Sequence, residues 1–241
     1  MTKKKRKKRS LGTKIRLTLA VLLLLFGLAL LAIDPIKHHM IKRAQEVNSI
    51  GQLTREQIIA NEQREVTYNF EDIKELNAVN VLKNNVNPKD LPTIGAVAIP
   101  SVNMNLPIYK GVSDEGMYLG AGTLLDKQKM GKSNYSLASH HSIHKGLLFE
   151  PLVHVKVGDY VYLTDLDKIY KYKVFFYELV DPSRVDLIEP TEEAIVTLIT
   201  CDSTLVNRIV VQGKLEEIVP VGEASDEMLA AFQLAQTVPN Q

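Results

Sequence analysis

Cysteine is nearly absent: Cys201 is the only one in 241 residues. The chain therefore forms no internal disulfide, and the paired Cys and His spacings of a structural zinc site are missing too. Acidic residues are absent from positions 1–16, which hold nine Lys or Arg. Residues 17–241 carry 20 basic against 28 acidic side chains, a balance that argues against nucleic acid as a partner. No internal repeat is visible, and no long amphipathic helical pattern follows Pro92.

What is present begins with an apolar run, Leu17 to Ile33 (LTLAVLLLLFGLALLAI), directly after the basic segment. Its 17 uncharged residues would span about 26 Å as a helix, enough for a membrane span when Lys14 and Arg16 snorkel. Lys37, Lys42 and Arg43 are the only bases in residues 34–50, so the charge bias keeps the N-terminus in the cytoplasm and exports the rest. A cleaved signal peptide shares the basic start. It has a shorter apolar core, however, and Leu30-Leu31-Ala32 is a poor cleavage site. Either reading places residues 34–241 outside the cytoplasm, where an isolated thiol is exposed to oxidation and is retained either for its reactivity or as a small buried apolar side chain.

Residues 35–65 read as a polar, mainly helical stalk, with Thr54-Arg-Glu-Gln57 fitting a capping box. NNVNPKDLP, residues 84–92, is dense in turn formers and leads into a different pattern. Short β-rich runs follow at 94–99, 135–139, 160–163, 169–177, 194–201 and 208–215, and VYLTDLDKIYKYKV alternates about a polar turn as a hairpin does. These runs predict a mostly-β barrel or sandwich. The expected organisation is a basic tail (1–16), a transmembrane anchor (17–33), a stalk (34–90), a β domain (91–220) and a C-terminal appendage (221–241) with one short helix.

Cys201 lies where the apolar strand AIVTLIT meets the polar loop Asp202-Ser-Thr. A strand end fixes a thiol while leaving it open to a groove, and a thiol near pH 7 needs a neighbouring base or positive charge to act as a nucleophile. Arg208 opens the next strand, so an antiparallel pair would bring it beside the thiol; otherwise it is a solvated strand-end charge. His140 and His141 end the run NYSLAS, with His144 close behind. Adjacent histidines on a strand face opposite ways and the only Cys is 60 residues from His141, so a metal site is not expected. One of the pair serving a distant cysteine is the sharper reading; alternation alone does not select which.

Taken together, GAGTL (120–124), NYSLASHH (134–141), LLFEPL (147–152), VYLTDL (161–166), TLITCD (197–202) and RIVVQG (208–213) resemble a class A sortase of Gram-positive bacteria. The resemblance implies an eight-stranded sortase-type β-barrel with short helices. It implies a membrane-anchored cysteine transpeptidase that cuts LPXTG-type sorting signals between Thr and Gly. The acyl group then passes to lipid II or another peptidoglycan amine, anchoring surface proteins to the wall. By the same resemblance Cys201 is the nucleophile, His140 the general acid and base, Arg208 the oxyanion stabiliser, and Ala138, Ile199 and Thr200 line the peptide groove. Some class A members bind calcium through acidic residues near this groove. Thr123–Asn134 (TLLDKQKMGKSN) holds one acid and three lysines, so neither calcium nor another cofactor is expected.

Two other classes compete. An extracellular cysteine peptidase or wall hydrolase of the papain-like kind places its Cys on a helix ahead of its His, and here the order is reversed. A non-catalytic wall-binding β-domain would keep its function after Cys201→Ala.

Overall fold

Strand pairing closes the β-rich half of the chain into a ring. The computed structural model describes residues 12, 16–29, 31, 50–69, 90–142 and 145–233. Eight strands are present: β1 (Thr93–Ile99), β2 (Met104–Tyr109), β3 (Ala121–Thr123), β4 (Asn134–Ala138), β5 (Tyr160–Thr164), β6 (Lys168–Val180), β7 (Ile195–Cys201) and β8 (Arg208–Pro220). They form a closed barrel in the order β1-β2-β3-β4-β7-β8-β6-β5. The expected eight-stranded barrel is therefore present. β2 and β3 had no counterpart among the runs read from the sequence, because Asn105 and Pro107 interrupt the pattern of β2 and β3 has only three residues.

The hairpin at Asp165 forms as its sequence predicts. Asp165 Oδ1 accepts from the N–H groups of Asp167 (3.1 Å) and Lys168 (2.9 Å), and Leu166 takes φ 69° between them. An Asp that bonds the backbone ahead of it replaces the ladder bonds lost at the turn. β5 and β6 then pair from Thr164↔Ile169 to Tyr160↔Lys173.

The barrel is filled by alternate side chains of these strands. Val97, Leu106, Ile108, Leu137, Val161, Leu163, Val196, Leu198 and Val211 are buried in one cluster. Truncating one of them, as in Leu137→Ala, removes transferred area and leaves a cavity, at a cost of about 2–5 kcal/mol.

Among the described residues, three short α-helices pack on or beside the barrel. α1 (Arg55–Glu62) starts with the capping box expected at Thr54 and Gln57. It packs on the barrel: Ile58 is fully buried with Ile50 and Ala96, Asn61 Nδ2 donates to Thr93 O (2.9 Å), and Arg55 meets Asp165 at 3.5 Å. α2 (Asp114–Leu119) is capped by Ser113, whose hydroxyl accepts from Gly116 N–H at 3.0 Å. α3 (Asp226–Gln233) buries Met228 and Ala231 against Ala98, Tyr162 and Ile169.

Residues 16–29 are helical, and Leu17, Leu22, Leu25 and Phe26 are exposed. Among the described residues no helix is long and apolar enough to cross a membrane. Part of the expected span, as well as His38, His39 and His144, lies outside the described residues.

Candidate active site

The site is built on three adjacent strands. β7 pairs with β8 in antiparallel register, Thr197↔Gln212, Ile199↔Val210 and Cys201↔Arg208. On its other side β7 pairs in parallel with β4, Ser136↔Thr197 and Ala138↔Ile199. Side chains alternate across a sheet, and Tyr135, Leu137, Val196, Leu198, Ile209 and Val211 belong to the interior cluster. Asn134, Ser136, Ala138, Thr197, Ile199, Cys201, Arg208 and Gln212 therefore share the outer face.

β4 stays in step with β7 past its last residue. Ser139 N–H donates to Ile199 O (3.3 Å), and Thr200 Oγ1 donates to Ser139 O (2.9 Å). Ser139 Oγ also donates to Gly120 O (2.6 Å), tying the strand end to the end of α2. Carried two residues beyond the Ala138↔Ile199 pair, the register brings position 140 opposite Cys201. His141 has the opposite parity and bridges to Leu148.

The environments of the three candidates differ. Cys201 is a free, half-buried thiol. His140 stacks on the buried Tyr118 of α2, with ring centroids 5.1 Å apart and 23° between planes. Its Nε2 is buried and has no hydrogen-bond partner among the described residues. Burial lowers its pKa to about 4, against a smaller opposing pull from Asp114, so the ring is neutral near pH 7. Arg208 is half-buried, donates from Nη1 to Asn207 O (3.2 Å), and joins no ion pair among the described residues.

The turn between Cys201 and Arg208 is held by Asp202. Its Oδ1 accepts from Val206 N–H (3.1 Å) and Asn207 N–H (3.3 Å), its Oδ2 accepts from Thr204 Oγ1 (2.7 Å), and Asp202 N–H donates to Asn207 O (3.0 Å). The Thr204 hydroxyl, with those backbone donors, keeps the Asp202 carboxyl below the usual carboxylate range. This turn closes the ladder one step past the Cys201–Arg208 pair.

Below this end the outer face is apolar. Ala138 and Ile199 pack with Val112, Met117 and Leu124, joined by Leu125, by Ile188 from the β6–β7 connection, and by Tyr68 from the segment before β1. Thr200 has the opposite parity and is buried, so its hydroxyl acts as a strut to β4. A separate cavity of about 490 Å³ beside Arg55, Lys110, Tyr135 and Asp165 shares Tyr68 and Leu125 with this cluster, but it contains none of Cys201, His140 and Arg208. Among the described residues no three His, Cys, Asp or Glu side chains gather as metal ligands would.

Tyr118 and Ile188 did not emerge from the sequence. Tyr118 lies in a six-residue helix too short to show a period, and Ile188 sits in an irregular connection.

Residues 97–216 match the family model described as the sortase domain. A sortase A from Streptococcus agalactiae serotype III (strain NEM316) is 36% identical over 225 residues, covering 90% of this chain and 91% of that protein. A sortase A from Listeria monocytogenes is 35% identical over 205 residues, covering 84% and 92%. The crystal structure of Listeria monocytogenes sortase A superimposes with a TM-score of 0.55 at 38% identity, over 58% of this chain and 97% of that one.

Proposed function

The chain belongs to the sortase family of cysteine transpeptidases, which anchor surface proteins to the cell wall, and on that premise we propose that Cys201, His140 and Arg208 are its catalytic set. The observation that carries this reading is the shared outer face of β4, β7 and β8. Cys201 and Arg208 are direct partners there, and His140 follows in register from the neighbouring strand.

The chemistry follows from the order of proton transfers. The neutral imidazole of His140 takes the Sγ proton, and the thiolate attacks the Thr carbonyl of an LPXTG-type signal. The thiolate formed beside the ring supplies the counter-charge that stabilises the imidazolium. As the tetrahedral intermediate collapses, the C–N bond breaks and the imidazolium protonates the leaving Gly amine. An amine of a peptidoglycan precursor such as lipid II then attacks the thioester, gives its proton to the imidazole, and releases Sγ. The Arg208 fork donates to the carbonyl oxygen as charge develops on it; among the described residues its one acceptor is Asn207 O, which leaves the remaining guanidinium donors for that oxygen.

The lining supports the substrate class. Ile199 lies two residues before Cys201 on β7, about 7 Å at the rise of a strand. With its Thr carbonyl at the thiol, an extended Leu-Pro-X-Thr segment lays the apolar residues that precede the Thr over Ala138, Ile199 and Ile188.

The N-terminal segment fits a membrane anchor, with the catalytic domain outside and residues 1–16 inside. Exposed Leu and Phe side chains on residues 16–29 are unfavourable in water and favourable in lipid. Anchoring places the enzyme where exported proteins emerge and lipid-linked amines reside, which raises the effective concentration of both. A hydrolase and a purely wall-binding domain are not favoured.

The test uses the full chain in detergent with an LPXTG peptide and a soluble amine, the products being weighed by mass spectrometry. Cleavage between Thr and Gly with the amine joined to Thr is expected. An intact peptide, or cleavage that persists in Cys201→Ala, overturns the reading.

A further inference from the structure

We propose that Asn134, Thr197 and Gln212 are positioning residues, a buried amide and hydroxyl clamp that sets the β6–β7 connection at residues 187–189 and so preforms the groove wall opposite the nucleophile. The proposal rests on the catalytic reading above, because it assigns the far end of the same groove.

Beyond the bonds to residues 187–189 the connection is tied to the barrel only near its β7 end, as by Thr191 N–H to Ser133 Oγ (2.9 Å) and the exposed Lys214–Glu193 pair (2.7 Å), among the described residues. Residues 181–194 lie between β6 and β7, and Asp181 to Asp186 are all exposed. Within the 3-10 turn Val185–Ile188 the backbone bonds are local, Leu187 N–H to Arg184 O (3.4 Å) and Glu189 N–H to Asp186 O (3.3 Å). Three successive carbonyls are nevertheless held from below. Asn134 Nδ2 donates to Leu187 O (2.9 Å) and Glu189 O (3.0 Å), Gln212 Nε2 donates to Leu187 O (3.1 Å), and Ser136 Oγ donates to Ile188 O (3.3 Å).

The donor count closes. The two hydrogens of Asn134 Nδ2 go to Leu187 O and Glu189 O. Those of Gln212 Nε2 go to Leu187 O and Thr197 Oγ1, the latter at 3.1 Å. The single Thr197 hydrogen goes to Asn134 Oδ1 at 2.6 Å. Leu187 O thus receives two amide donors, matching its two lone pairs. Asn134, Thr197 and Gln212 are all buried. A satisfied buried network is rigid, and losing one member leaves the others unpaired.

What the clamp positions is Ile188. With its neighbours' carbonyls fixed, its side chain is held on the apolar cluster with Ala138 and Ile199, the latter two residues along β7 from the thiol. None of the three clamp residues needs to touch substrate. Their loss releases the wall, so a peptide must order it on binding, and the deficit falls on KM.

Two measurements decide the matter, each on the full chain in detergent: amide hydrogen exchange across 185–190, and steady-state kinetics on the LPXTG peptide. Asn134→Ala and Gln212→Glu are expected to speed exchange in 185–190 about tenfold or more, with strand amides of β4 and β7 unchanged. KM should rise about tenfold while kcat and the alkylation rate of Cys201 by iodoacetamide stay within about twofold, as the loss of one or two net hydrogen bonds implies. Thr197→Val should behave like Asn134→Ala, and Thr197→Ser, which keeps the hydroxyl, should restore wild-type values. Unchanged exchange at 185–190, a fall in kcat matching the KM change, or equal behaviour of Thr197→Val and Thr197→Ser each overturns the proposal. If the wild-type chain leaves the peptide intact, the catalytic reading fails, while the exchange comparison still judges the clamp.

Discussion

The two ends of the groove lie on the same three strands and are finished in opposite ways. At one end every donor hydrogen of the Asn134, Thr197 and Gln212 side chains is used, either on the β6–β7 connection or within the trio. At the other, among the described residues, His140 Nε2 is buried without a partner, Arg208 has one backbone acceptor, and Cys201 is a free thiol. Buried polar groups are normally satisfied, because an unpaired one costs about 1–3 kcal/mol. One sheet face therefore teaches two uses of polarity: satisfied groups give shape, and unsatisfied groups hold capacity for a substrate.

That contrast can be broken most severely at the sulfur. Cys201→Ala should lower turnover by on the order of 10³-fold or more while leaving far-ultraviolet circular dichroism unchanged, since it removes one half-exposed atom from a strand end. Residual turnover near wild type would place the nucleophile elsewhere. Next comes the imidazole. His140→Ala should cost about 10²–10⁴-fold in kcat, and His141→Ala far less, because the two side chains have opposite parity. The reverse ranking would reassign the general acid.

Arg208→Lys should cost about 10²-fold in kcat/KM, because an ammonium supplies charge without the planar fork. Kinetics equal to the wild type would remove Arg208 from the chemistry. Variants at the clamp end should instead leave kcat alone, so a plot of kcat against KM across both sets sorts the two ends.

A last expected effect concerns stability against pH and not rate. His140 has a folded pKa of about 4, below the ordinary value of 6.5. The unfolded chain therefore binds a proton that the folded chain resists between those values. Stability is fully present above pH 6.5 and declines as pH falls to about 4, by about 3 kcal/mol in total, with no further change from this group below that. Urea titrations at several pH values should show that slope, and His140→Gln should flatten it. An NMR titration of the His140 ring with a midpoint above 6.5 would contradict the burial argument.

Much of this arrangement is legible in the sequence, for local reasons. The β5–β6 hairpin is written in an alternating run with an Asp turn, the α1 cap in Thr54 and Gln57, and the placing of the lone thiol at a strand end in the apolar run before it. What stayed hidden depends on partners far along the chain. The docking of α1 hangs on Ile50 and Ile58, two apolar residues in a polar stretch that reads as a stalk. The choice of His140 over His141 needs β7, and the role of Asn134 needs Leu187, 53 positions later. Those relations are set by which strands become neighbours, and no local pattern encodes them.

The ring of strands has one more consequence. A sheet that closes on itself has no border where backbone N–H and C=O groups wait for a newcomer, so a guest polypeptide cannot be captured by adding itself as an extra strand. Selection among the many unfolded tails leaving a cell must then be made on the outer wall, by side-chain fit. The same closure shields the protein from zipping onto its neighbours where extended chains are crowded.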